Sequence, residues 1–146
     1  MSEFSHGKYV ITHLKENIEV PKWGGNLDPR TTTRVFYLDS KVIEGANYVE
    51  VVWFLPTDKK DTASPDPHTH DYDEIIGFFG SDSQNPHDLG AEIELYIDGE
   101  RNLMNQSFLA FIPAGIKHCP LNFLKITRPV FHFSTHGGKL YAGQAG

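Results

Sequence analysis

Residues 67–80, PHTHDYDEIIGFFG, carry the side chains best suited to chemistry. On an extended strand His68 and His70 stand two apart, so both imidazoles leave the same face. Two nitrogens placed this way can reach one metal ion at ~2.1 Å. Glu74 follows four residues later, an even spacing that keeps the same face if the strand continues. A turn at Asp71, Tyr72 and Asp73 would instead bring it in from the next strand. A third imidazole is available from His118, which follows the turn Pro113-Ala114-Gly115. Three neutral imidazoles and one carboxylate suit Fe(II), Mn(II), Ni(II), Cu(II) or Zn(II), and are too rich in nitrogen for calcium or magnesium. Four protein ligands leave an octahedral ion two positions for water, dioxygen or a bidentate substrate. Such openness separates a catalytic metal site from a closed structural one.

Other side chains are candidates for supporting roles. His132 lies between Phe131 and Phe133; if those two pack outward, it faces the interior as a general base or a group behind the ligands. Tyr72, in the turn between ligands, can donate a hydrogen bond to bound substrate or serve as half-buried packing. His87, in the loop around Asn85 and Pro86, is a candidate to cover a cavity mouth. Lys117 and Arg128 read as rim charges, and Cys119 as a small buried hydrophobe pointing away from the metal. Phe78 and Phe111 are expected to line an apolar pocket, and Phe36, Tyr37, Trp53, Phe79, Phe131 and Phe133 to belong mainly to the core. No Gly-rich phosphate loop, nucleophile elbow or redox cysteine pair occurs, which disfavours nucleotide cofactors and acyl-enzyme chemistry.

The elements that must position these groups are short strands. NYVEVVWFL at 47–55 is rich in β-branched and aromatic residues and alternates in character. The Pro- and Asp-rich stretch 56–67 reads as a loop, 74–79 as a strand, and 80–90 as a second loop. A strand at 91–97 runs into Asp98-Gly99, a dipeptide suited to tight hairpins because glycine tolerates positive φ. Further strands are expected at 107–113, at LNFLKI after His118, at 128–135, and upstream at 10–14 and 33–38 around the Trp23-Gly24-Gly25 loop. Only 13–18 suggests a helical turn. Strands at this spacing predict an all-β sandwich or barrel that can enclose one ligand-sized cavity.

At 146 residues the chain accommodates one domain, 1–146, with 1–45 as N-terminal strands or extension and 46–135 as the core barrel. A net charge of −6 with no Lys/Arg cluster argues against nucleic-acid binding. No apolar run approaches the ~20 residues needed to cross a bilayer. The single cysteine fits a reducing compartment, and the N-terminus lacks a secretory layout, so a cytoplasmic location is expected.

The spacing resembles the two motifs of the cupins, G-x5-H-x-H-x3,4-E-x6-G and G-x5-P-x-G-x2-H-x3-N. His68, His70 and Glu74 match the first, and Gly80 closes it one residue early. Pro113, Gly115, His118 and Asn122 match the second without a gap. Thr62 and Ser107 stand where the opening glycines would be, which puts local turn geometry in question. The resemblance implies a jelly-roll β-barrel holding one divalent metal on His68, His70, Glu74 and His118, with iron or manganese first. It further implies an enzyme acting on a small organic molecule. Dioxygenase chemistry is favoured over Lewis-acid isomerase, decarboxylase or lyase chemistry, and over a ligand-binding protein without turnover. A homodimer is expected, with the apolar strands before residue 55 forming a sheet edge that a partner covers.

Overall fold

The computed structural model describes residues 7–15, 28–64, 66–137 and 144–145. Among the described residues, eleven strands form two antiparallel sheets. The first contains β1 (Thr32–Leu38), β2 (Tyr48–Phe54), β5 (Glu74–Gly80), β8 (Phe108–Ile112) and β10 (Val130–His136), in the order β1-β2-β10-β5-β8. The second contains β3 (Asp61–Ser64), β4 (His68–Thr69), β6 (Asp88–Ile97), β7 (Glu100–Gln106), β9 (His118–Ile126) and β11 (Gln144–Ala145). Its order is β11-β4-β9-β6-β7, with β3 also paired to β9.

Strict alternation builds the interior. In β2 the burial pattern runs Tyr48, Glu50, Val52 and Phe54 inward against Val49, Val51 and Trp53 outward. The paired registers carry that phase across the sheet, so His132, Ser134 and His136 of β10 and Glu74, Ile76 and Phe78 of β5 also point inward. From the facing sheet, Ala63, Leu89, Ile93, Leu95, Leu121 and Phe123 complete the core. Burying each large apolar side chain contributes about 1.5–3 kcal/mol before ordering costs, so this interior supplies the main driving force for folding.

The Asp98-Gly99 turn closes β6 onto β7 with both residues at positive φ, 49° and 80°, as a tight hairpin requires. Gly80 answers a different demand: a Cβ there would sit 1.9 Å from the carbonyl oxygen of Asp88, so only glycine allows β5 to end against β6. The two motif departures are hydrogen-bonding residues. Thr62 pairs in register with Asn122 and donates to its Oδ1 at 2.9 Å. Ser107 Oγ accepts from the Gly80 N–H at 2.9 Å and donates to the Pro86 carbonyl at 2.7 Å.

Several expectations need correction. Residues 10–14 form no strand; a 3-10 turn at Gly7–Tyr9 precedes them, and Val10 is exposed. The stretch 56–67 is not wholly loop, since Thr57 bridges Ile126 and β3 pairs with β9. The polar β7 is a strand because its hairpin partner β6 supplies the ladder. Trp23, Gly24 and Gly25 lie outside the described residues, as does the second half of the 13–18 turn. Most of the aromatics are placed differently from expectation. Tyr37 and Phe78 are core, but Phe36, Trp53, Phe79, Phe131 and Phe133 lie on the outer side of the first sheet with Phe111. Alternation forces this, because their inward neighbours already fill the interior.

Candidate metal centre

His68 opens on β4, His118 on β9 and Glu74 on β5, while His70 lies just past β4. His68 and His118 are direct register partners, so two sequence-distant motifs meet across one strand pair. The turn at 71–73 reverses the chain and brings Glu74 in from the opposite sheet, as the second sequence alternative required. Two hydrogen bonds hold that turn to the other motif. The Gly115 N–H donates to the His70 carbonyl at 2.9 Å, and the Ala114 N–H donates to Asp73 Oδ1 at 2.9 Å. Gly115 has φ 83°, a left-handed conformation natural to glycine.

The donor atoms of His68, His70 and His118 all lie within 4.8 Å of one another. Glu74 Oε1 is 3.4 Å from His118 Nε2, and Oε2 is 3.8 Å from His70 Nε2. Two ligands on opposite sides of one ion at ~2.1 Å lie about 4.2 Å apart. These donors therefore fit a single ion after shifts of a few tenths of an ångström. Backbone carbonyls set the tautomers: His68 Nδ1 donates to Asp66 O at 2.8 Å and His118 Nδ1 to Ile116 O at 3.1 Å. Each leaves its Nε2 lone pair for a ligand, the usual division between the two ring nitrogens at a metal. His118 Nε2 is buried with no hydrogen-bond partner, a costly placement that a bound cation would relieve. Burial, first of all, lowers the pKa of His68, with the neighbouring His118 and His70 adding to it; the shift favours the neutral, ligand-competent form. His70, Glu74 and His118 are buried, whereas His68 is half-buried, so solvent meets the cluster on the His68 side.

Tyr72 packs as a ring. It stacks on His70 at 4.7 Å and 12°, and on His136 at 3.7 Å and 22°. His136 stacks in turn on Tyr48 at 4.6 Å. Below this stack, the Tyr48 hydroxyl donates to Glu50 Oε2 at 2.8 Å and lies 2.9 Å from Ser134 Oγ; Arg34 Nε donates to Glu50 Oε1 at 2.5 Å. Burial and the Glu50 carboxylate raise the Tyr48 pKa well above the usual phenol value, so its proton stays in place. The sequence reading did not pick out His136, Tyr48, Glu50 or Asp73. A polar residue at every inward position of 48–50 and 132–136 was the available signal.

His132 faces inward with Phe131 and Phe133 outward. Its Nδ1 donates to the Gly77 carbonyl at 2.8 Å, and its ring stacks on Phe78 at 4.1 Å. Phe54 and Phe123 pack beside them, making an aromatic wall inside the barrel. Burial pushes the His132 pKa down to about 4. Two expectations are corrected. Phe111 does not line the interior: it is 61% exposed on the outer face, while Phe78 is fully buried. His87 cannot cover the cluster, because its loop follows Gly80, the far end of β5 from Glu74, and six residues of strand span roughly 20 Å. Arg128 is at that far end too, paired with Asp88 at 2.7 Å. Cys119 is buried in the core cluster, its φ of 80° interrupting the alternation at the start of β9.

Two antiparallel sheets in this order, with one motif on β4 and β5 and the other on β9, form a jelly-roll β-barrel, the fold that the motif resemblance implies. No protein family and no curated protein matches the chain. Among solved structures, it is similar to an oxalate oxidase in complex with glycolate, with 16% identity over 81% of this chain and a TM-score of 0.49; it spans 56% of that protein's length. It is also similar to KdgF from Halomonas sp., at 15% identity over 75% of this chain and 82% of that one, TM-score 0.42. A third is a cupin 2 conserved barrel domain protein from Rhodopseudomonas palustris, at 12% identity over 78% and 66% of the two chains, TM-score 0.44. Among the described residues no helix is long and apolar enough to cross a membrane.

Proposed function

We propose that the protein is a metal-dependent enzyme acting on a small organic molecule held in the barrel, beside one divalent ion bound by His68, His70, Glu74 and His118. The carrying observation is the convergence of three imidazoles with a buried carboxylate 3.4 and 3.8 Å from two of them. Iron or manganese is the first choice of ion. When bound, it supplies a Lewis-acidic centre with positions left for substrate and dioxygen, and dioxygenase chemistry is the reading we adopt.

The chain's own groups have definable parts. Glu74 offsets cation charge in a buried place where water cannot. The half-buried His68 marks the side from which substrate approaches. Phe54, Phe78, Phe123 and His132 keep the inner wall poor in water, which suits an organic substrate. His132 acts there as a neutral positioning group, because a base with a pKa near 4 accepts protons poorly at neutral pH. Tyr72, stacked on His70, orients that imidazole, and its hydroxyl is the group we assign to a hydrogen bond with a bound molecule.

Elemental analysis of the natively expressed protein, with His70→Ala and His118→Ala beside it, tests the ion site. One metal per chain in the parent and none in the folded variants is expected; full occupancy in both variants overturns it. Mass spectrometry of a co-purified small molecule supplies the substrate to assay. Dioxygen uptake in step with product supports the oxygenase reading, and undiminished turnover under strict anaerobiosis replaces it with Lewis-acid isomerisation or lyase chemistry.

A further inference from the structure

The outer face of the β1-β2-β10-β5-β8 sheet has the wrong composition for a surface that meets water. An antiparallel sheet with one wet face alternates apolar inward with polar outward. The second sheet comes closer to this rule: Glu92, Glu94, Arg101 and Lys125 share its outer side by register, with the exposed Leu103 among them. The first sheet is apolar on its outer side as well, and among the described residues that side carries no charged group, only Thr33 and Thr135 as polar side chains. Its middle is flat, because a Cβ on Gly77 would meet Phe133 at 2.8 Å, Phe79 at 2.9 Å and Leu109 at 3.1 Å; these side chains fold in over the glycine. At the β8 edge Ile75, Leu109 and Phe111 are 40%, 64% and 61% exposed in the folded chain.

We propose that this face is a homodimer interface, with a second copy of the chain packed sheet against sheet about a two-fold axis. This differs from pairing at the β1 edge, the arrangement the sequence suggested. A self-associating face must complement itself, and a charge-free, flat, aromatic sheet does so without desolvating an unpaired charge. The area is adequate. Ile75, Leu109 and Phe111 expose roughly 300 Å² together, and the half-buried aromatics beside them bring the patch toward the ~800 Å² per partner of a standard interface. Such a patch is at or above the ~300–600 Å² that monomers ordinarily tolerate.

Sedimentation equilibrium of the full chain at micromolar concentration, with Leu109→Asp and Phe111→Asp, tests the proposal. The parent is expected to be a dimer. Each variant should weaken association about a hundred-fold or more, because the change enters twice across the axis. Both positions are exposed in the single chain, so the monomeric variants should keep the parent's far-ultraviolet circular dichroism. Leu109→Ala and Phe111→Ala, which add no charge, should weaken the dimer by a smaller factor and serve if an aspartate variant does not fold. A monomeric parent overturns the proposal, whether the patch then proves covered by the chain's own terminal residues or open to a different partner. A dimer whose affinity none of the four variants changes also overturns it and moves the contact to the β1 edge.

Discussion

The backbone N–H of Gly115 donates to the carbonyl of His70 at 2.9 Å, so the turn that leads into one imidazole is fastened to the residue carrying another. Asp73, three residues after His70, makes a second such connection by accepting from the Ala114 N–H. The two motifs thus act as one unit: neither ligand-bearing turn can shift without breaking a hydrogen bond in the other. The metal donors are positioned by backbone and turn chemistry as much as by the strands.

Asp73→Ala should therefore loosen the site without removing a ligand. Groups that orient ligands typically contribute about 10–100-fold in metal affinity, and an exposed hydrogen bond such as this one no more than about 0.5–1.5 kcal/mol in stability. Asp73→Asn retains an acceptor oxygen and should bind metal nearly as the parent does. Isothermal titration with the metal alone distinguishes the two variants; equal weakening in both would show that the carboxylate charge, and not the tether, matters.

Metal removal should lower the unfolding temperature. A ligand at a hundred times its dissociation constant stabilises the native state by about 2.7 kcal/mol, equivalent to about 5–10 °C for a domain of this size. Dialysis against a chelator followed by stepwise return of Fe(II) or Mn(II), monitored by scanning calorimetry, should recover that shift. His118→Ala should abolish the response, whereas Phe111→Ala should leave it unchanged.

His132 makes stability depend on pH. Its pKa is about 4 in the folded chain, against an ordinary histidine value near 6.5, because burial disfavours the cation. Between these values the unfolded chain binds a proton that the folded one does not. The stabilisation is therefore full above about pH 6.5 and is lost as pH falls toward 4, amounting to about 3 kcal/mol in total. Urea unfolding of His132→Phe across this window should show a shallower slope than the parent.

The ion pair between Arg34 and Glu50 sits inside the barrel, with Glu50 fully buried and Arg34 29% exposed. Arg34→Met leaves the buried carboxylate without its cationic partner and should destabilise by up to about 3–5 kcal/mol, the Tyr48 hydrogen bond offsetting part of the loss. Adding Glu50→Met should restore most of the loss, since an apolar pair of similar volume needs no desolvated charge and Tyr48 keeps Ser134 as a partner. Chemical denaturation of the two singles and the double measures the coupling; a double variant no better than Arg34→Met would assign Glu50 an independent structural role.

Much was legible in the residues by themselves. Their spacing placed His68 and His70 together, and the two motifs added Glu74 and His118. The strand runs at 47–55, 74–79 and 128–135 declared themselves because β-branched and aromatic residues alternate there, and Asp98-Gly99 specified its turn through positive φ. All of these are local relations, set by the two-residue period of a strand or by one turn. Tertiary structure decided the rest. Alternation separates two faces of a strand without saying which is inside, and the first sheet is apolar on both, so Phe78 and Phe111 look alike in sequence yet end on opposite sides. The alignment of His70, Tyr72, His136 and Tyr48 joins residues up to 88 positions apart, and only the register of β2, β10 and β5 brings them into one stack.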